Sequence, residues 1–351
     1  MRAEFGGFDV EPDPGDVRTS NAAEAVLSVQ DLAVDLYTPH GPLRVVDGVT
    51  FVVSAGTIVG LVGESGSGKT MTSLSVMGLI RGRLGEVAGS ISFEGRELAL
   101  ASERELEDIR GNRISMIFQD PMTSLNPAFT VGNQIAEVLR RHKRVSRAAA
   151  RAQSIDLLAR VGIPNSTAAF SSFVHEFSGG MRQRAMIAMT IACGPRLLVA
   201  DEPTTALDVT VQAQVLNLLR RMRDEEGLSI LFVTHNLAVV AELCDEVIVM
   251  YAGQVMERTN VHTIFANPKH PYTLALLDSA PTIGEHPRGE FRAVSGRAPE
   301  PGQHGPGCRF ADRCSFAQPE CNDPQSLEEI ESGHWVRCRR ADEIGLRGLY
   351  S

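Results

Sequence analysis

Eight consecutive residues, Gly63-Glu-Ser-Gly-Ser-Gly68-Lys69-Thr70, have the types and spacing needed to hold a polyphosphate. Gly63, Ser65, Gly66 and Gly68 form a loop whose backbone N–H groups can turn inward on an anion, at the point where a helix begins. Lys69 is placed to reach the two outer phosphates, and the Thr70 hydroxyl to ligate Mg²⁺. A bare Gly-rich turn is the alternative. It is disfavoured because an apolar strand, Ile58–Val62, leads in and a helix through Met71–Leu79 leads out.

A second apolar run, Leu197–Ala200, ends in Asp201-Glu202. A carboxylate at the tip of a buried strand can face the same Mg²⁺, a role that falls to Asp201. Glu202 would then stand beside the terminal phosphate and polarise an attacking water. The alternative for the pair alone is a helix N-cap before Pro203.

These groups need a scaffold that brings strand ends together. Short β-rich runs are expected at Leu27–Val29, Val34–Tyr37 and Val49–Val53, with turn residues Pro39, Gly41 and Gly56 between the early strands. Residues 100–185 read mostly helical, from the periodicity of Ile135, Val138 and Leu139 and of Ile155, Leu157 and Leu158. Beyond them a helix at 209–225, a strand Ile230–Val233, a helix at 236–243 and a strand Glu246–Met250 alternate, the signature of a largely parallel sheet. After Phe265 the periodicity fades among Pro and Gly, which marks an appendage. The expected fold is α/β: residues 25–265 as a nucleotide-binding domain with a helical insert at about 100–185, and residues 266–351 as an irregular extension. Residues 1–24 are acidic, carry Pro12 and Pro14, lack a secretory-signal pattern and read as a disordered tail.

A net charge of -9 argues against a nucleic-acid-coating protein. The basic run Arg140, Arg141, Lys143, Arg144, Arg147 and Arg151 is the local exception and reads as a solvated helix face and linker. No apolar stretch is long enough to span a bilayer, so a cytosolic chain that meets a membrane through partners is expected.

The order of motifs resembles the ABC ATPase family over roughly residues 25–260. After the phosphate loop come Gln119 in Phe118-Gln-Asp-Pro121, then Ser178-Gly-Gly-Met-Arg-Gln183. Asp201-Glu202, Ala206-Leu-Asp208 and His235 in Val233-Thr-His-Asn236 follow. The resemblance implies the sequence Walker A, Q-loop, signature, Walker B, D-loop and H-switch. It implies ATP and Mg²⁺ as ligands, with Gln119 on Mg²⁺ and sensing the terminal phosphate, and His235 contacting that phosphate. It also implies a head-to-tail dimer in which Ser178, Gly179 and Gly180 of one subunit face the ATP held by the other, with Asp208 bridging the two. The family usually stacks an aromatic on adenine from the early strand. Leu36 occupies the usual place here, and adenine stacking is assigned to the adjacent Tyr37.

Three segments narrow the resemblance: Gly63–Lys69, Phe118–Pro127 and His270-Pro-Tyr-Thr-Leu-Ala-Leu-Leu277 are similar to ATPases of dipeptide, oligopeptide and nickel importers. The Met-rich helix after the phosphate loop and Ile114–Ile117 look like the first, D-type, subunit. That implies a second related ATPase as partner, two transmembrane permease subunits and, indirectly, an extracytoplasmic binding protein, with this chain on the cytoplasmic face of the membrane. Four cysteines, Cys308-x5-Cys314-x6-Cys321-x16-Cys338, resemble the extension that in some members holds a 4Fe–4S cluster. Zn²⁺ and free or disulfide-linked thiols are the alternatives. His304 and His334 are spare ligand candidates that read as surface residues, and Cys193 and Cys244 read as core. Two other functions compete with an import motor: a nucleic-acid-linked soluble ATPase, and an iron–sulfur redox sensor with an ATPase attached.

Overall fold

The computed structural model describes residues 24–119, 124–205, 207–279 and 296–343. The expected tail, Glu24 apart, lies outside the described residues. Strands β1 (Ala25–Thr38), β2 (Gly41–Ser54), β4 (Gly85–Phe93) and β5 (Arg96–Glu97) form an antiparallel sheet in the order β2-β1-β4-β5, and β3 (Ile58–Val62) belongs to a second sheet. The two short runs expected in the first strand are one strand with a bulge. The register shifts between Val29 and Leu32, and Asp31 takes a left-handed backbone with φ of 48°.

The second sheet continues with β6 (Ile114–Ile117), β7 (Leu197–Asp201), β8 (Ser229–Thr234), β9 (Glu246–Tyr251), β10 (Gln254–Asn260), β11 (Glu328–Glu331) and β12 (His334–Val336). Its order is β11-β12-β10-β9-β3-β8-β7-β6, and β9, β3, β8, β7 and β6 run parallel. Every residue of β3, β6, β7 and β8 is buried, as a parallel sheet covered on both faces requires. Alternate residues serve opposite cores. Val59, Leu61, Val199, Leu231 and Met250 pack toward the antiparallel sheet, while Ile58, Val62, Ala200, Phe232 and Val249 pack toward the helices.

Residues 100–185 are mostly helical, with Val131–Lys143, Arg147–Arg160 and the start of Gly179–Ile191, but they also contain β6. A four-residue strand, Ile-Ser-Met-Ile, is too short to show a strand period among helices. The basic run is exposed, as expected. The extension is not an appendage apart: β12 pairs with β10 (Glu257↔Val336, Arg258↔Trp335), and Tyr272 and Phe310 join the main core beside Tyr251. His334 is a correction to the sequence reading. It is 1% exposed, and its Nε2 lies 2.7 Å from the fully buried Glu257 carboxylate, which also accepts from the backbone N–H groups of Lys269 and His270. The carboxylate gives the buried ring a hydrogen-bond partner inside the core.

His270, 1% exposed, accepts a 3.0 Å bond at Nδ1 from the Tyr272 N–H, and burial presses its pKa down to about 4. The folded chain therefore keeps it neutral while the unfolded chain protonates it below about pH 6.5. Its stabilising effect is complete above that pH and is lost as pH falls toward the folded value. Between about pH 7.5 and 5, wild type should lose about 2 kcal/mol more than His270→Asn, read from urea midpoints of the two proteins at each pH. Equal losses would remove His270 as the cause.

Candidate nucleotide site

The motif residues gather where the parallel strands end. β3 leads into the phosphate loop, β6 into Gln119, β7 into Asp201-Glu202 and β8 into His235. This is the edge at which open α/β sheets take ligands.

The loop is built by close backbone approach. Gly63 has φ of 152°, and a Cβ there would lie 2.1 Å from the Met250 carbonyl oxygen on β9. The Ser67 carbonyl accepts from Gly253 N–H at 2.9 Å, tying the loop to the β9–β10 turn. Gly68, at φ of 101°, starts the helix Lys69–Val76, while Ser65 and Gly66 are exposed at the loop tip. Lys69 is 6% exposed, and its ammonium donates to the carbonyls of Gly63 (2.8 Å) and Glu64 (2.9 Å) and to Ser67 Oγ (3.4 Å). Burial lowers its pKa, and Glu202, Asp201 and Glu64 partly offset that.

Asp201 is 2% exposed, and its Oδ1 has no hydrogen-bond partner among the described residues. Burial raises its pKa, while a bond from Thr70 works the other way. A buried, unpartnered carboxylate oxygen next to a hydroxyl is a donor set suited to a hard cation. Glu202 lies under firmer control. Its backbone is left-handed, with φ of 48°, and its N–H donates to Val233 O. His235 Nδ1 stands 3.1 Å from Oε1, while Gln119 Nε2 (3.2 Å) and the Thr205 hydroxyl (2.9 Å) donate to Oε2. A carboxylate only accepts, so Nδ1 carries the proton of the His235 bond. Burial pushes the Glu202 pKa up, but the His235 and Thr205 bonds, with Lys69, outweigh it and hold the group ionised. An ionised carboxylate fixed on three sides can polarise a water.

The remaining motif residues form a second group. Ser178 caps the helix Gly179–Ile191, accepting from Met181 N–H at 3.3 Å. Asp208 caps Val209–Glu226, accepting from Val211 N–H at 2.9 Å. A Cβ on Gly180 would meet Val211 at 2.8 Å, so signature and D-loop are neighbours. Ser178 and Gly179 are exposed and join no hydrogen bond to the phosphate loop among the described residues. Tyr37 stands at the β1–β2 hairpin, 53% exposed, while Leu36 packs on the core. Asp120–Thr123 and Ala206 lie outside the described residues. Sequence reasoning missed Thr205, one turn beyond Glu202, and Gln183, buried inside the signature helix and donating to Pro203 O at 2.5 Å. A polar residue on the buried face of that helix was the available signal for Gln183.

The four extension cysteines line one cavity with His270, Phe316, Arg339 and Arg340. All are free thiols, and burial raises Cys308 and Cys314 and pushes Cys338 up to about 11. Among the described residues no three His, Cys, Asp or Glu are grouped to hold a metal ion. Cys193 and Cys244 are core residues, 2% and 6% exposed.

Such a fold and loop define an ABC-type ATP-binding cassette. Residues 46–205 match the ABC transporter family, and residues 256–321 match the C-terminal region of oligopeptide/dipeptide transporters. The chain is 46% identical over 330 residues to a probable peptide ABC transporter ATP-binding protein, y4tR, of Sinorhizobium fredii, covering 93% of this chain and 98% of that one. It is 48% identical to the oligopeptide transport ATP-binding protein AppD of Bacillus subtilis (91% and 98% covered) and 46% to OppD of Escherichia coli (90% and 93%). Among solved structures, the ATP-binding cassette MJ0796 in a post-hydrolysis dimer with ADP and Pi superposes with a TM-score of 0.61 at 22% identity, covering 67% of this chain and 98% of that one. The chain belongs to the ABC transporter ATP-binding proteins, in the oligopeptide/dipeptide branch, and is an ATPase of that class.

Gly63→Ala should cost about 2–4 kcal/mol and abolish nucleotide binding, because the obstructing atom is backbone that cannot move aside. Gly66→Ala, where a Cβ meets nothing within 4 Å, should cost about 1–2 kcal/mol, the left-handed strain alone. Thermal melts and a fluorescent-nucleotide titration compare them, and equal behaviour would refute the Met250 contact as the cause.

Proposed function

We propose that this chain powers a peptide importer from the cytoplasmic face of the membrane, as one of two related ATPases bound to two permease subunits. An extracytoplasmic binding protein delivers the solute. The relatives' descriptions as peptide transport proteins support the substrate class. Among the described residues no helix is long and apolar enough to cross a membrane, so membrane contact falls to the partners. We assign residues 25–265 to the motor domain and 266–351 to the extension.

The observation that carries the reading is Glu202, ionised and held by His235, Gln119 and Thr205 at the end of β7. ATP lies with its phosphates on Gly63, Ser65, Gly66, Gly68 and Lys69 and its adenine against Tyr37. Thr70, Gln119 and Asp201 are the residues that would hold Mg²⁺, which would neutralise charge on the phosphates. Glu202 orients and polarises the attacking water, and His235 holds Glu202 and faces the terminal phosphate. Ser178, Gly179, Gly180 and Asp208 serve the partner's nucleotide, so binding closes the dimer and hydrolysis reopens it. In the complete transporter in proteoliposomes, Glu202→Gln should keep ATP binding while lowering hydrolysis about 100-fold or more, with peptide uptake falling in parallel. Undiminished turnover would refute Glu202 as the activating carboxylate.

Cys308, Cys314, Cys321 and Cys338 are the residues that would hold a 4Fe–4S cluster, a reading supported by their sharing one cavity. Their thiols would turn inward and ionise on loading, against the burial that raises Cys308, Cys314 and Cys338. Such a group would brace the extension's loops. Anaerobically purified protein should be brown with about four irons per chain, and Cys338→Ser should lose the colour. Colourless, iron-free wild type would overturn this.

A further inference from the structure

The extension reaches back to the phosphate loop through a residue that the nucleotide motifs do not include. Arg313 stands immediately before Cys314, with its side chain 7% exposed. Its guanidinium forms a fork on the Glu64 carboxylate, Nη1 to Oε2 at 2.8 Å and Nη2 to Oε1 at 3.0 Å, and Nη1 also donates to the Tyr251 hydroxyl at 3.0 Å. The guanidinium sits 5.6 Å from the Tyr251 ring centre and 5.8 Å from that of Phe310. Glu64 is the second residue of the phosphate loop, and all its polar groups are engaged. Its N–H donates to the Tyr272 hydroxyl at 2.9 Å, and its carbonyl accepts from Lys69 at 2.9 Å. Two of these three ties come from beyond residue 265. Arg309, beside Cys308, adds a parallel anchor by pairing with Asp47 and donating to Ala252 O.

We propose that Arg313 is a positioning residue of the phosphate loop, clamping Glu64 so that the affinity for ATP depends on the C-terminal extension. The physical reason is charge as well as geometry. An unpaired carboxylate on this loop would repel a polyphosphate and could swing, taking the carbonyl that holds Lys69 with it. A two-point guanidinium fork cancels the charge and fixes the orientation, which a single ammonium does only in part. Glu202, Gln119 and His235 follow other strands, so a loosened loop weakens ground state and transition state alike and appears in KM with little change in kcat. The inference rests on the ATPase assignment and is independent of any metal at the cysteines.

The test uses the assembled transporter with Arg313→Gln, Arg313→Lys, Glu64→Gln and the Arg313→Gln/Glu64→Gln double variant. Arg313→Gln should raise the KM for MgATP about fivefold with kcat within about twofold, and Arg313→Lys should fall between it and wild type. In the Glu64→Gln background, removal of Arg313 should change KM by less than about twofold, because no carboxylate remains to neutralise. An unchanged KM in Arg313→Gln, or the same fold-increase with and without Glu64, would overturn the proposal. If Arg313→Gln cannot be recovered folded, Arg313→Lys decides, and a KM equal to wild type would overturn it. Failure of the ATPase reading looks different: wild-type transporter would show no ATP turnover for KM to report.

Discussion

A buried cation whose hydrogen-bond partners among the described residues are all neutral organises this molecule. The Lys69 ammonium is almost enclosed, and the atoms it touches are two carbonyls and a hydroxyl. Removing such a charge from water without a counter-ion is costly. The nearby carboxylates of Asp201 and Glu202 offset part of that cost through space without forming a salt bridge. A polyphosphate carries the charge that complements this buried ammonium, so the loop favours such a ligand. The sheet makes this tolerable: β3 is buried on both faces and flanked by β8 and β9, so the loop that follows cannot relax outward to hydrate the lysine.

The same constraint explains why the loop is tied from several directions. Gly63 lies against Met250 O, Gly253 bonds Ser67 O, and Tyr272 and Arg313 hold Glu64. A loop of small residues has little apolar surface with which to hold itself, so its order is borrowed from its neighbours. Part of that order comes from the extension, which is fused to the sheet by the β10–β12 pairing and by the buried Glu257–His334 contact.

Much of the motor was legible in the sequence because the phosphate loop, Asp201-Glu202 and His235 each follow an apolar run. Leu197–Ala200 before Asp201 and Ile58–Val62 before Gly63 are strands whatever the rest of the chain does, and their tips must converge in a parallel sheet. The extension was not legible in that way. Its attachment depends on pairs far apart in the chain, Glu64 with Arg313, Asp47 with Arg309 and Glu257 with His334, and such pairs leave no periodicity. His334 looked like a surface residue because a titratable ring usually is one, and only its distant partner shows otherwise. Tyr37 illustrates a further limit: strand alternation put Leu36 inward and Tyr37 outward, but adenine recognition depends on a ligand that the pattern does not contain.

The division of the motif residues into two groups carries the last step. Gly63–Thr70, Asp201, Glu202, Gln119 and His235 converge at one strand edge, whereas Ser178 and Asp208 spend their side chains capping adjacent helices. A helix start with a glycine pair presents backbone N–H groups of the kind that suit an anion. A side chain at Gly180 would press on Val211, whose γ-methyl lies 2.8 Å from where a Cβ would stand. Helix starts that face solvent are, on the proposed reading, what a composite site requires of each half. On the proposed reading, closing two such halves brings the signature dipole to the phosphates that Lys69 already holds. The energy of binding is then spent on joining subunits, and hydrolysis, by removing the shared anion, removes the reason for them to stay together.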